Sequence, residues 1–245
     1  MKAMLLQPFY FPWIGMFDMM DRCDLFLLYD DAQFVRQSWQ TRNRLKTPTG
    51  VRWMSVHIDA DYRLGTPIRE IRVDRRSPWA TKHLNQICES YRNAKYFDVY
   101  YPLLVSFFQK RSEWLVDYAR ESIILVAHLL GITTRIGLSS DFGVRKSRGV
   151  QKVVDLCHAA GAEEYLDGES GQELYDPQLF RDQGLTISFH RYVHPVYRQL
   201  HGEFVSHLSV LDLLMNEGTA SRRIMLSGRV LNDEEIPVAH RAGNR

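Results

Sequence analysis

Cysteine is scarce in this sequence, with three thiols in 245 residues, Cys23, Cys88 and Cys157, all far apart. Metal sites need tightly spaced ligands, so no metal centre is expected, and isolated thiols in apolar surroundings suit a reducing compartment. An excess of one charge is also missing. The balance of 31 Lys and Arg against 29 Asp and Glu leaves +2. No basic field therefore points to nucleic acid or to an anionic membrane. Long hydrophobic runs are missing as well. The aliphatic run free of Asp, Glu, Lys and Arg from Ser122 to Ile132 is too short to span a bilayer. Lys2 precedes an apolar stretch as in a signal peptide, but Pro8, Pro12, Asp18 and Asp21 interrupt it and no small-residue cleavage site follows. No repeat or low-complexity segment occurs. A cytoplasmic globular protein is the expectation.

What is present reads as an α/β chain. With 45% hydrophobic and 24% charged residues, its composition is ordinary for a globular protein, and a core of this size needs no staples. Met4–Gln7 reads as a buried strand. Pro12 suits a first helical turn, and Ile14, Phe17, Met19 and Met20 recur at helical spacing. Asp24 to Tyr29 reads as a second buried strand. Strand, helix and strand make a βαβ unit with parallel strands, of the kind that opens nucleotide-binding folds. Asp30 to Gly50 reads as a long functional loop, followed by a hairpin of two strands, "VRWMSVHI" and "PIREIRV". Helices fill 77–130, with a serine cap and a proline at the start of the first. Strands and helices then alternate again up to a leucine-rich last helix. The expectation is a mostly parallel sheet with a helical insertion over 77–130, one domain over 1–226, and a loosely ordered tail over 227–245.

Several stretches carry candidate chemistry. "QPFYFPWIGMF" places Gln7, Tyr10 and Trp13 at the carboxyl edge of the first strand, where α/β folds bind ligands. Gly15 permits close approach there, although aromatics and prolines also fill cores. "DDAQFVRQSWQTRNRLKTPTG" combines Arg36, Arg42, Arg44 and Lys46 with Trp39 and the amides of Gln33, Gln40 and Asn43. Such a set suits a phosphate-bearing polar ligand, or is a solvated basic loop. Asp59-Ala60-Asp61 has the metal-holding pattern of many glycosyltransferases, but a hairpin turn explains it as well. Ser139 and Ser140 open a strand-to-helix loop with three basic residues, and "YLDGESG", with Gly168, takes the same place in the next unit. His190, His194, His201 and His207 crowd one later loop without metal-ligand spacing.

Taken together, "QPFYFPWIGMFD", "DDAQFVRQSWQTRNRLKTP", "YRNAKYF", "YLDGESG" and "HPVYRQLHGEFVSHLSVLDLLMNEG" make the chain resemble the WbqC-like protein family of bacterial polysaccharide gene clusters. The resemblance implies a link to O-antigen synthesis and attachment of glycine or another amino acid to an amino sugar. Joining an acid to an amine in water needs the acid activated, most simply by ATP with Mg2+ as an acyl-adenylate. The expected substrates are an amino acid and a nucleotide-linked amino sugar. The expected catalytic set is His194 or His83 as general base, with Asp31. Gln7, Tyr10, Trp13, Gln33, Arg42, Asn43, Arg44, Lys46, Ser139, Ser140 and Gly168 are expected to bind substrate or nucleotide in one cleft. A metal-dependent glycosyltransferase using Asp59 and Asp61, or a non-catalytic partner of the polysaccharide machinery, are the alternatives. The cysteines are not expected to act as nucleophiles.

Overall fold

A computed structural model describes residues 1–230. The strands β1 (Lys2–Leu6) and β2 (Leu25–Leu28) flank the helix α1 (Ile14–Asp21). The hairpin β3 (Arg42–Thr47) and β4 (Gly50–Ser55) is followed by three helices, α2 (Trp79–Tyr91), α3 (Phe97–Gln109) and α4 (Leu115–Leu129). Alternation resumes with β5 (Arg135–Leu138), α5 (Gly149–Ala160), β6 (Glu164–Gly168), α6 (Pro177–Arg181) and β7 (Thr186–His190). Two helices, α7 (Val210–Glu217) and α8 (Ser221–Ser227), follow.

Five strands form one parallel sheet in the order β5-β2-β1-β6-β7. The mostly parallel α/β expectation therefore holds. Along β1, Met4 enters the core cluster on one face while Ala3 and Leu5 enter the cluster on the other. Both faces are covered, which is why β2 is buried at every position. The helices α1, α2, α3, α4 and α7 supply the first cluster, and α5 and α6 the second. Counted in chain order, the sheet strands lie 3-2-1-4-5, a doubly wound arrangement whose order reverses between β1 and β6. Loops after the carboxyl ends of β1, β2, β5, β6 and β7 thus share one edge, and ligands bind along that edge in such folds.

The hairpin differs from the sequence expectation. Arg42–Thr47 pairs with Gly50–Ser55, so a third of the expected long loop is strand. Thr47-Pro48-Thr49-Gly50 makes the turn, with Gly50 at φ 113. The segment around 67–73 forms only isolated bridges, Gln33 to Pro67, Ile58 to Val73 and Arg72 to Trp114. Proline at 67 has no N–H for a ladder. Ser77 does not cap α2, because its hydroxyl meets His57 Nδ1 at 2.6 Å and Pro78 stands at the cap. Of the segment expected to be loosely ordered, 231–245 lies outside the described residues; Arg229 is clamped by Asp18 and Asp21.

Gly15 answers to Trp13. A Cβ at Gly15 would lie 2.1 Å from the Trp13 ring, so the indole itself makes the close approach over the first turn of α1. Gly15→Ala is therefore expected to lower stability by about 1–3 kcal/mol through overpacking, instead of the gain of about 1 kcal/mol that Ala brings to an ordinary helix. Denaturant midpoints of Gly15→Ala, alone and with Trp13→Ala, check this: the second change should recover most of the loss.

Candidate functional site

The turn after β1 is held by other segments rather than by itself. Phe11 has φ 40, a left-handed conformation rare for a bulky side chain. Its carbonyl accepts from Asn43 Nδ2 at 2.7 Å and Ser209 Oγ at 2.9 Å, and its N–H donates to Ser122 Oγ at 3.1 Å. Asn43 Nδ2 also reaches the Tyr10 carbonyl at 3.3 Å, and its Oδ1 accepts from Arg44 N at 2.8 Å. Asn43 is thus the clamp of the aromatic turn, with its amide engaged by backbone.

Held this way, Phe9, Pro12 and Trp13 form one side of a cavity of about 200 Å3 that Trp39, Asn43 and His207 complete. That volume holds one ring-sized group, being below the roughly 300–1,000 Å3 of drug-sized sites. His207 lies 4.7 Å from Trp13, and His194 stacks on Trp13 at 6.0 Å and 14° while standing 5.0 Å from His207. Burial holds both imidazoles below the ordinary histidine range, with each other's proximity adding to it for His194 and Arg44 for His207. His194 Nδ1 donates to the Pro195 carbonyl at 2.9 Å, which leaves the lone pair on Nε2. A neutral imidazole with a defined tautomer can take a proton.

A second cavity, of about 310 Å3, opens where β2 and β5 end, lined by Asp31, Arg69, Ser140, Val144 and Arg145. Beneath it Asp30, 1% exposed, accepts from Ser139 Oγ at 2.9 Å, Ser140 N at 3.0 Å and Ser140 Oγ at 2.6 Å. Asp31 pairs with Lys152 of α5, and both side chains are nearly buried. Ser139 and Ser140 tie two strand ends together through Asp30, while Arg145 has no carboxylate within pairing distance among the described residues. The crevice is suited to an anion.

At the reversal point stands Asp167, the last but one residue of β6. Burial pushes its carboxyl up to about 6, opposed by the Gly168 N–H, which donates to Oδ1 at 2.7 Å. Its other side faces Gly171, where a Cβ would lie 2.4 Å from Oδ2.

The expected single cleft is divided in two. Trp13 and Asn43 line the aromatic cavity, with His194 stacked on Trp13; Asp31 and Ser140 line the polar one, with Ser139 bonded to Asp30 beneath it. Arg42 and Arg44 stand on β3 beside Trp39 and Trp53. Gln7 accepts from Gln40 Nε2 at 2.8 Å, and Gly168 lies next to Asp167 at the end of β6. Gln33 is exposed on the loop after β2. Three residues lie inside. Tyr10 is 0% exposed, and its hydroxyl meets His83 Nδ1 at 3.0 Å, while His83 Nε2 meets the Ser55 carbonyl at 3.0 Å. With both nitrogens engaged and burial pushing it down to about 3, His83 is a neutral bridge between β4 and the aromatic turn. Lys46 is 3% exposed and bonds Gln199 Oε1 at 3.3 Å and the Gly202 carbonyl at 3.0 Å, anchoring the histidine-bearing loop. Asp59 and Asp61 line neither cavity. Burial pushes the Cys23 and Cys157 thiols up to about 12.

The four histidines also part company: His190 pairs with buried Asp18, and His201 meets the Ser90 carbonyl at 2.7 Å. Lys152, Asp167 and His207 are additions to the expected set. A lysine inside the apolar stretch Val150–Val154 was the available signal for the first.

Comparison with known proteins fits this picture, because the WbqC-like protein family matches residues 7–224, from the aromatic turn into α8. The chain belongs to the WbqC-like protein family. An uncharacterized protein of Mycobacterium tuberculosis (strain ATCC 25618 / H37Rv), Rv1507c, is 31% identical over 219 residues, covering 89% of this chain and 94% of that one. No solved structure matches. The matched region includes every residue of both cavities in this WbqC-like chain. Among its described residues no helix is long and apolar enough to cross a membrane, and no group of three His, Cys, Asp or Glu side chains could hold a metal ion.

Two variants separate structure from chemistry at the edge. Lys152→Met leaves Asp31 uncompensated and is expected to cost about 3–5 kcal/mol, with Asp31→Leu in the same chain restoring much of it. For Asp167 the folded value of about 6 lies above the ordinary 3.8, so the native state holds the extra proton. The associated stability is present below pH 3.8 and is lost as pH rises towards 6. Asp167→Asn should accordingly match the wild type at pH 4 and exceed it at pH 8, by up to about 3 kcal/mol, in urea titrations at the two pH values.

Proposed function

We propose that this chain transfers an activated amino acid to the amino group of a nucleotide-linked amino sugar in polysaccharide biosynthesis. The observation that carries the reading is the pair His194 and His207 against Trp13. It puts a neutral base of defined tautomer beside a cavity sized for one ring. In this reading a sugar ring stacks on indole, its amine loses a proton as it attacks an acyl carbon, and His194 accepts that proton through Nε2. Family membership supports the setting.

The acyl group needs activation. ATP with Mg2+ is the proposed activator: the amino-acid carboxylate attacks the α-phosphorus, pyrophosphate leaves, and attack by the sugar amine on the acyl-adenylate then releases AMP. The crevice of Asp31, Ser140, Arg69 and Arg145 suits the phosphates, since arginine binds them bidentately. Magnesium would enter on the nucleotide. The aromatic walls of the other cavity keep water from the activated acyl group.

Incubation with ATP, Mg2+, glycine and a nucleotide-linked amino sugar should form AMP and an amide in equal amounts. His194→Ala should lower kcat by about 10²–10⁴-fold, the usual share of a general base. Because burial lowers the His194 pKa, the acid limb of kcat/KM should fall below the ordinary imidazole value of about 6.5. Sugar transfer without AMP, dependent on Asp59 and Asp61, would instead establish the glycosyltransferase. Neither product would leave a non-catalytic partner.

A further inference from the structure

The outer face of the β3–β4 hairpin carries an arrangement that none of the roles above uses. Alternation along β3 puts Arg42, Arg44 and Lys46 on one face, and the register sets Trp53 opposite Arg44. Trp53 is 44% and Trp39 41% exposed, with ring centroids 5.4 Å apart at 49°. The Arg42 guanidinium lies 4.1 Å over the Trp53 ring, and Arg44 lies 5.8 Å from Trp39 and 6.0 Å from Trp53. Two large aromatic rings thus stay partly in solvent beside two guanidinium groups.

The arginines are incompletely satisfied. The Arg42 side chain makes no hydrogen bond and no ion pair among the described residues, and its Nε is buried without a partner. Arg44 uses Nη2 on the carbonyls of His207 at 3.0 Å and Ser206 at 3.4 Å, while its Nε is likewise buried and unpartnered. A half-buried guanidinium without an acceptor costs free energy that an anion would recover. Through Trp39, which lines the aromatic cavity, and through Arg44, which holds the backbone of His207, the face continues into the candidate site.

We infer that this face binds the nucleoside diphosphate portion of the acceptor. The base stacks on the exposed Trp39 and Trp53 rings, the diphosphate meets Arg42 and Arg44, and the sugar enters the cavity walled by Trp13 and His207. Stacking on aromatics tolerates any base, whereas the guanidinium pair demands the anion, so the two halves of the ligand are recognised by different physics. The inference rests on the proposed function only for the identity of the sugar.

Titration with uridine diphosphate, followed by tryptophan fluorescence and calorimetry, tests it, with uridine and inorganic pyrophosphate as separate probes. The expected result is binding of the diphosphate at least tenfold tighter than of either probe alone. Trp53→Ala and Arg42→Gln should each weaken it tenfold or more, while Trp53→Phe, which keeps a ring, stays within threefold. Thermal melts confirm that each variant is folded. Pyrophosphate binding as tightly as uridine diphosphate, affinity unchanged in folded Trp53→Ala and Arg42→Gln, or no binding at all would each overturn the inference. The assay of AMP and amide reads the other reading separately. Turnover by a chain whose KM for the sugar nucleotide ignores Arg42→Gln and Trp53→Ala overturns this inference alone. Binding of the diphosphate on this face without AMP formation supports it and overturns only the activation step.

Discussion

The peptide units on either side of Phe11 are where the molecule is pinned together. Four separate parts of the chain converge on the aromatic turn: Asn43 from β3, Ser122 from α4, Ser209 from the cap of α7, and the Trp39 carbonyl, which accepts from Tyr10 N at 3.0 Å. A left-handed phenylalanine costs roughly 1–3 kcal/mol. The three side-chain hydrogen bonds to its backbone, at about 0.5–1.5 kcal/mol net each, are of the right size to offset it. The strained turn therefore exists only because the hairpin, the helical insertion and the last helices are all in place. That is why a ligand cavity built on it draws its walls from residues as distant as Phe9 and His207.

A second constraint follows from the first. In doubly wound sheets the amino end of the first helix is the usual phosphate site, with glycines letting the ligand reach free N–H groups. Here the Trp13 ring lies over Gly15 and covers that end. The proposed anion recognition therefore rests on side chains elsewhere on the edge, and the chain has arginines at two places, Arg69 and Arg145 beside β2 and β5, and Arg42 and Arg44 on the hairpin. Proline and aromatics at this turn thus replace a phosphate cradle with a rigid wall.

How much of this was legible in the sequence depended on the range of the interaction. The parallel sheet, α1 and the later alternation are written in local apolar periodicity, and the structure has them. The hairpin was misplaced because Arg42–Thr47 is polar and basic; its burial comes from packing under α2 and the 199–203 loop, which no local pattern records. Likewise, Asn43, Tyr10, His83 and Lys46 looked like ligand contacts by residue type. Apart from the neighbouring Arg44 N–H on Asn43, their side-chain bonds run to partners between 28 and 157 positions away, and only the folded chain shows that those partners engage them. The convergence of His194 and His207 on Trp13 was hidden for the same reason.

The contrast between two histidines shows what the edge is built to do. His190 has the partner a catalytic dyad uses, Asp18 at 2.7 Å, yet it is 4% exposed and the same carboxylate is clamped by Arg229 at 2.9 Å. That pair fastens the residues after α8 to α1. His194 has no carboxylate partner among the described residues. It is held flat between Trp13 and Tyr197, with ring centroids 6.0 and 6.2 Å away, and the Tyr197 hydroxyl donates to buried Asp212 at 2.9 Å, fixing the far ring. Stacking positions an imidazole without raising its basicity, whereas a carboxylate partner would stabilise the imidazolium. A base oriented this way stays unprotonated in neutral solution and carries no charge to attract water into the cavity. A base that takes the proton of an attacking amine needs that combination of fixed direction and low charge.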